Sequence, residues 1–148
     1  TVEWTGNQGE GTASYRAYAR SYDITAAGKP VIAGSADPAF RGDPACWNPE
    51  DLFLASLAAC HKLWYLHLAA VNGVVVLAYR DEAEGVMTED DAGSGRFTAA
   101  ILRPHVTVTA GSDLAKAETL HEEAHRRCFI ANSVNFPVTH KATVEVAA

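Results

Sequence analysis

Basic charge is scarce in this chain. Of 148 residues only 12 are lysine or arginine, against 18 acidic ones, and the formal net charge is −6. No stripe of Lys and Arg is available to meet a phosphate backbone, which argues against nucleic acid as the main partner. Cysteine is scarce as well. Cys46, Cys60 and Cys128 stand far apart with no C-x-x-C spacing, so neither a disulfide scaffold nor a zinc framework is expected. His121 and His125 share a helix face, but no acidic or cysteine partner for them is obvious, and no metal is expected. There is no internal repeat, no low-complexity tract, and no leader or lipidation motif to read. With few, unpaired cysteines the expectation is a cytoplasmic protein without bound cofactor. An apolar fraction of 48% and a charged fraction of 20% are ordinary for one globular domain, here residues 1–148.

What the sequence has is one long apolar stretch from Asn48 to Gly73, around which the rest is organised. Asn48 suits an N-cap, Pro49 the first helical position, and Glu50 and Asp51 complement the positive end of the helix dipole. Gly73 supplies the stop. The helix would be ~36 Å long. Between Leu52 and Val71 only Ser56, Cys60, His61, Lys62, Tyr65 and His67 carry polar side-chain atoms. A helix apolar nearly all round must be covered nearly all round. Lys62 and the histidines interrupt it too much for a membrane span. The expectation is a buried central helix covered by sheet on one side and by a second copy of the chain on the other.

The remaining elements follow from periodicity. Val2–Thr5 and Thr12–Ile24 read as strands, with a short third one beginning at Val31-Ile32. Residues 34–47 form a loop rich in Gly, Pro, Asp and Ala. After the helix, Val74 to Val86 reads as a strand, Asp90 to Gly95 as a hairpin loop, and Phe97 to Thr109 as the returning strand, with Pro104 forcing a bulge or an edge. Ser112 or Asp113 caps a second helix with the apolar stripe Leu114, Ala117, Leu120, Ala124 and Cys128. Pro137 opens a last alternating strand through Val146. The order predicts an α+β fold with antiparallel sheets and two helices.

From the residues alone, Cys60 is first a small apolar side chain in a buried helix. Mid-helix, it draws nothing from the N-terminal dipole, so a reactive thiolate there needs a cation from elsewhere. Cys128 lies on the inward stripe of the other helix, so the two could meet, whereas Cys46 in its loop is a bystander. His61, beside Cys60, has no assigned role. Arg126 and Arg127 sit near a helix C-terminus, where cations are expected.

The residues around Cys60 and Cys128 also carry a resemblance. Asn48-Pro49-Glu50, followed ten residues later by Cys60, resembles the helix of the OsmC/Ohr family of thiol peroxidases. Cys128-Phe129-Ile130-Ala131-Asn132-Ser133-Val134 is similar to that family's second cysteine motif. The likeness covers essentially the whole chain. It implies an OsmC-like intertwined homodimer in which Cys60 is the peroxidatic thiol, Cys128 the resolving thiol, and Glu50 the carboxylate that orients an arginine beside the reactive sulfur. The early Gly-rich turn that carries this arginine in Ohr proper is Asn7-Gln8-Gly9-Glu10-Gly11 here, without arginine. Arg41, in the loop before Asn48, matches the position used in members closer to OsmC, with Arg16 and Arg20 in reserve. Phe129 stands where many Ohr-type members have proline. These departures place the chain in an OsmC-like subgroup.

The implied activity is reduction of organic hydroperoxides, and of hydrogen peroxide less readily, as part of oxidative-stress defence. An external dithiol protein, lipoyl-type by family precedent, recycles the disulfide. Phe53, Leu57, Trp64 and Phe129 are the expected apolar walls. Because Glu50 and Cys60 lie ~15 Å apart along one helix, the expectation is a two-fold dimer in which Arg41 and Glu50 of one chain serve Cys60 and Cys128 of the other. The rivals are a non-enzymatic redox-sensing or small-ligand-binding dimer and a cysteine hydrolase pairing Cys60 with His125.

Overall fold

The computed structural model describes residues 1–148, which form two compact units, Thr1–Phe53 and Leu54–Ala148. The first contains an antiparallel three-stranded sheet in chain order: β1 (Val2–Trp4), β2 (Tyr22–Ile24) and β3 (Ile32–Gly34). Only the last three residues of the strand expected over Thr12–Ile24 are strand. The segment before them turns on itself, held by the Arg20 guanidinium. It donates to the carbonyls of Tyr18 (2.6 Å) and Tyr15 (2.8 Å) and lies about 4 Å from both ring centroids, at 4.1 and 4.3 Å. This local clamp outweighs the alternation of Tyr18, Arg20 and Tyr22.

The long helix α1 runs Pro49–Val71. The Asn48 side-chain oxygen accepts the Asp51 N–H at 2.7 Å, an N-cap bond. Beyond the last turn Gly73 takes φ 74°, the left-handed stop that a side chain would strain. By length and composition the helix could cross a membrane. Its buried residues, however, are Leu57, His61, Tyr65, Leu68 and Ala69, a single stripe at i, i+4, i+8, i+11 and i+12. Within one chain the helix is therefore covered on one side only: Leu63 and Val71 are 63% and 65% exposed.

In the second unit the three long strands expected from the sequence are each broken at the same level. The chain forms β4 (Val76–Asp81), β5 (Glu84–Glu89), β6 (Gly95–Leu102), β7 (Pro104–Val108), β8 (Val138–His140) and β9 (Thr143–Val146). One sheet has the order β4-β7-β9 and another β5-β6-β8. The break falls at Arg103, whose N–H leaves the ladder for the Asp81 carboxylate at 2.8 Å, and Pro104 has no N–H to give. The sheets are not wholly antiparallel as expected. β8 and β9 run parallel to β6 and β7, because α2 (Leu114–Arg127) returns the chain to the starting end before the last strand begins.

Asp113 caps α2 by accepting the Lys116 N–H at 3.0 Å. Ala117, Leu120 and Ala124 pack with Tyr65, Leu68 and Ala69 of α1 and with Val106 and Val108 of β7 in one core. The expected stripe is right except at its ends. Leu114 is exposed, and Cys128 is the C-cap, with extended backbone, rather than a helical residue.

Candidate active site

Cys60 lies half-buried on α1 and Cys128 fully buried at the end of α2, and all three cysteines are free thiols. The two elements bring the two thiols near enough for Cys60 to act electrostatically on Cys128. Cys128 is fixed by its position: its N–H reaches the His125 carbonyl at 3.2 Å, and its sulfur accepts the Ala131 N–H at 3.4 Å. Burial pushes the Cys128 thiol up to about 11, with Ala131 opposing and Cys60 adding to the rise. At neutral pH Cys128 is thus a protonated thiol held against Cys60. Such a group is poorly suited to attack a peroxide itself and well placed to react with whatever forms on Cys60.

Aromatic side chains flank the pair. Trp64, one turn beyond Cys60, meets Phe129, next to Cys128, edge to face at 5.7 Å. The Arg127 guanidinium lies 5.7 Å from the Trp64 ring centroid. Leu63, Trp64 and His67 line an open apolar cleft of about 280 Å³. Of the other expected walls in this unit, Leu57 is wholly buried and belongs to the core.

Arg41 and Glu50 belong to the first unit. Arg41 closes the 3-10 turn Pro38–Phe40, which Asp37 caps through the Ala39 N–H at 2.8 Å. It is the one non-glycine residue with positive φ, 65°, and its side chain is exposed. Strained backbone of this kind persists where the surroundings hold it. Here Gly42 donates to the Asp37 carbonyl at 3.0 Å, and a Cβ on Gly42 would lie 1.5 Å from the Ala36 carbonyl oxygen. Glu50 is half-buried in the first turn of α1. Burial, then Glu50 and Cys46, hold the Tyr22 phenol above its ordinary value. Glu50 and Cys60 share the uninterrupted helix Pro49–Val71, so they stand ~15 Å apart along its axis. Arg20 is engaged within its own loop, and Arg16 is exposed.

One feature of the site escaped the sequence reading. His61 Nε2 and His121 Nδ1 are 3.0 Å apart, and both rings are buried, 0% and 1% exposed. The signal was present: His61 falls four residues after Leu57 and four before Tyr65, and His121 four after Ala117, all core positions by helical period.

The sequence profile of the OsmC-like protein family matches residues 42–143. No curated protein matches the chain. Among solved structures, an OsmC-like protein of unknown function from Vibrio cholerae is 32% identical, with TM-score 0.85, over 97% of this chain and 96% of that one. An organic hydroperoxide resistance protein from Elizabethkingia anophelis is 19% identical, with TM-score 0.63, over 99% and 96% of the two chains. The organic hydroperoxide resistance protein OhrB of Bacillus subtilis is 22% identical, with TM-score 0.58, over 97% of each. The last two likenesses establish the fold.

Proposed function

From the premise that this chain belongs to the OsmC-like protein family, we propose that it is a thiol peroxidase reducing organic hydroperoxides through Cys60 and Cys128. The observation that carries this reading is the nearness of the two free thiols, one half-buried and one buried, flanked by the Trp64–Phe129 aromatic pair. The Cys60 thiolate attacks the peroxide O–O bond and takes a hydroxyl, leaving a sulfenic acid. The departing alkoxide takes up a proton and leaves as the alcohol. Cys128 then condenses with the sulfenic acid. The S–S bond forms as the S–OH bond breaks, and the Cys128 proton leaves with hydroxide as water. An external dithiol, lipoyl-type in the family pattern, returns two electrons and two protons. Trp64, Phe129 and Leu63 favour an alkyl or aryl hydroperoxide over hydrogen peroxide.

The activating groups come from a second copy of the chain. A guanidinium both favours the thiolate and hydrogen-bonds a peroxide oxygen, and Arg41, oriented by Glu50, supplies it across a two-fold axis. The ~15 Å of helix between Glu50 and Cys60 of one chain supports this arrangement. So does the exposed apolar side of α1, with Leu63 and Val71. The protein is a cytoplasmic homodimer that works without metal or prosthetic group.

The test is intact mass and peptide mapping after one equivalent of cumene hydroperoxide, with thiols trapped before and after. A Cys60–Cys128 disulfide that leaves Cys46 free, followed by repeated turnover with dihydrolipoamide, supports the peroxidase. A disulfide without turnover makes the pair a redox sensor. A folded protein whose Cys60 stays unmodified overturns the reading, and an acyl adduct at Cys60 with an activated ester would point to hydrolysis instead.

A further inference from the structure

The two helices that carry the cysteines are joined inside the protein by histidines. His61 follows Cys60 directly on α1, and His121 lies on α2 seven residues before Cys128. Their rings are coplanar within 6°, with centroids 5.3 Å apart, and meet through ring nitrogens at 3.0 Å, edge to edge as in an N–H···N bond. The Tyr65 ring covers His121 at 3.9 Å. Neutral imidazole has one donor and one acceptor nitrogen. Whichever tautomers are present, the shared bond uses one donor and one acceptor. The outer nitrogens, His61 Nδ1 and His121 Nε2, are buried without partner.

Such a bond needs at least one neutral ring to accept. With both protonated, every ring nitrogen is a donor and the bond is lost. With one protonated, a charge sits in a dry cluster that has little to stabilise it. The groups facing the pair are Tyr65 from α1, Glu122 and His125 from α2, and His140 from β8. His140 stands 5.5 Å from His61 and 5.8 Å from His121 between ring centroids, and 5.9 Å from His125. The carboxylate in this set, Glu122, is paired with His140 at 3.3 Å. The ring nitrogens do not converge as metal ligands. Burial, then His140 and His125, hold His61 down to about 4. Burial, then His61 and His140, hold His121 down to about 3.

We propose that the His61–His121 hydrogen bond is an acid-released clasp between α1 and α2 that positions Cys60 against Cys128 and so sets the rate of disulfide closure. The inference rests on reading Cys60 and Cys128 as a cycling pair. Disulfide geometry tolerates little displacement, with Cβ atoms about 3.5–4.5 Å apart. Cys60 is one residue from the clasp, and Cys128 is locked to the last turn of the helix that holds its other half. The remaining polar tie between these helices, Tyr65 hydroxyl to the Ala117 carbonyl at 3.2 Å, lies further from the sulfurs along both helices. His61 and His121 are positioning residues and touch no substrate.

The test compares wild type with the double variant His61→Leu/His121→Phe, in which both polar partners become apolar so that neither is left buried and unpaired. Diamide, which takes two electrons and two protons from the thiol pair, drives closure without peroxide. The rate of Cys60–Cys128 closure is measured at pH 7 and pH 4. Thiol ionisation affects both proteins alike, so the ratio of wild-type to variant rate isolates the clasp. The expected ratio is about tenfold at pH 7 and smaller at pH 4, where His61 takes up its proton and a charge enters the cluster. A ratio that does not change with pH overturns the proposal. Independently of any variant, imidazole nitrogen NMR of the wild type should show both rings neutral and hydrogen-bonded down to about pH 5. Titration of both near 6.5 in the folded protein would also overturn it. A pH-dependent ratio in a protein that ignores cumene hydroperoxide keeps the clasp and removes the peroxidase; a flat ratio in an active peroxidase does the reverse.

Discussion

At the scale of single residues, Cys60 and Cys128 differ in burial, and their substitutions should differ accordingly. Cys60→Ser should abolish peroxide consumption. Cys128→Ser should still react once, leaving a Cys60 sulfenic acid that dimedone captures, while steady-state turnover with a dithiol falls by about tenfold or more. Cys46→Ser should leave turnover unchanged, and a coupled peroxide-consumption assay reads all three. Arg41→Lys keeps the charge but loses the planar fork, so the rate of Cys60 oxidation by cumene hydroperoxide should drop about tenfold with little change in melting temperature. An unchanged rate would remove Arg41 from the site. Cys128 was legible as buried because it continues the apolar stripe of α2. Cys60 is only half-buried and lies beside the buried stripe of α1 rather than on it. The His61–His121 bond was not legible, because periodicity shows that a residue is inside and not which side chain it meets there.

At the scale of elements, both ends of α1 and the start of α2 were readable almost to the residue, since Asn48, Gly73 and Asp113 mark them by local chemistry. By contrast, α2 stops at Arg127, short of the end expected at Asn132–Asn135. The strands were not readable in this way. In the second unit their overall extents were visible, but the common break at Arg103 depends on Asp81, twenty-two residues earlier, taking a ladder N–H. The buried histidines that join the helices also make stability depend on pH. An imidazole held down to about 4 or 3 binds its proton more weakly in the folded chain than in the unfolded one, where its ordinary value is 6.5. Between those values the unfolded chain binds more protons. Stability is therefore whole above pH ~6.5 and falls as the pH is lowered through the window, by on the order of 1.4 kcal/mol per pH unit for each ring. Urea denaturation at pH 7, 5.5 and 4.5 checks this, and His61→Leu/His121→Phe should flatten the slope, with carboxylate titration common to both proteins.

At the scale of the whole molecule, the apolar side of α1 left open within one chain leads to a definite expectation. Sedimentation equilibrium should give twice the 15.8 kDa chain mass at micromolar concentration. Mixing Cys60→Ser with Arg41→Ala chains should restore activity in the heterodimer, because one of its two composite sites is then intact. A monomer with full activity would refute the shared site. What the sequence determined by itself is local. The caps and the helical stripes follow from side-chain chemistry within a few residues. Tertiary structure alone decided that β8 and β9 run parallel to their neighbours, that Cys128 is a buried cap whose thiol stays protonated, and that His61 meets His121. Each of these depends on which distant segment supplies the neighbour, and a buried polar group takes its properties from that neighbour.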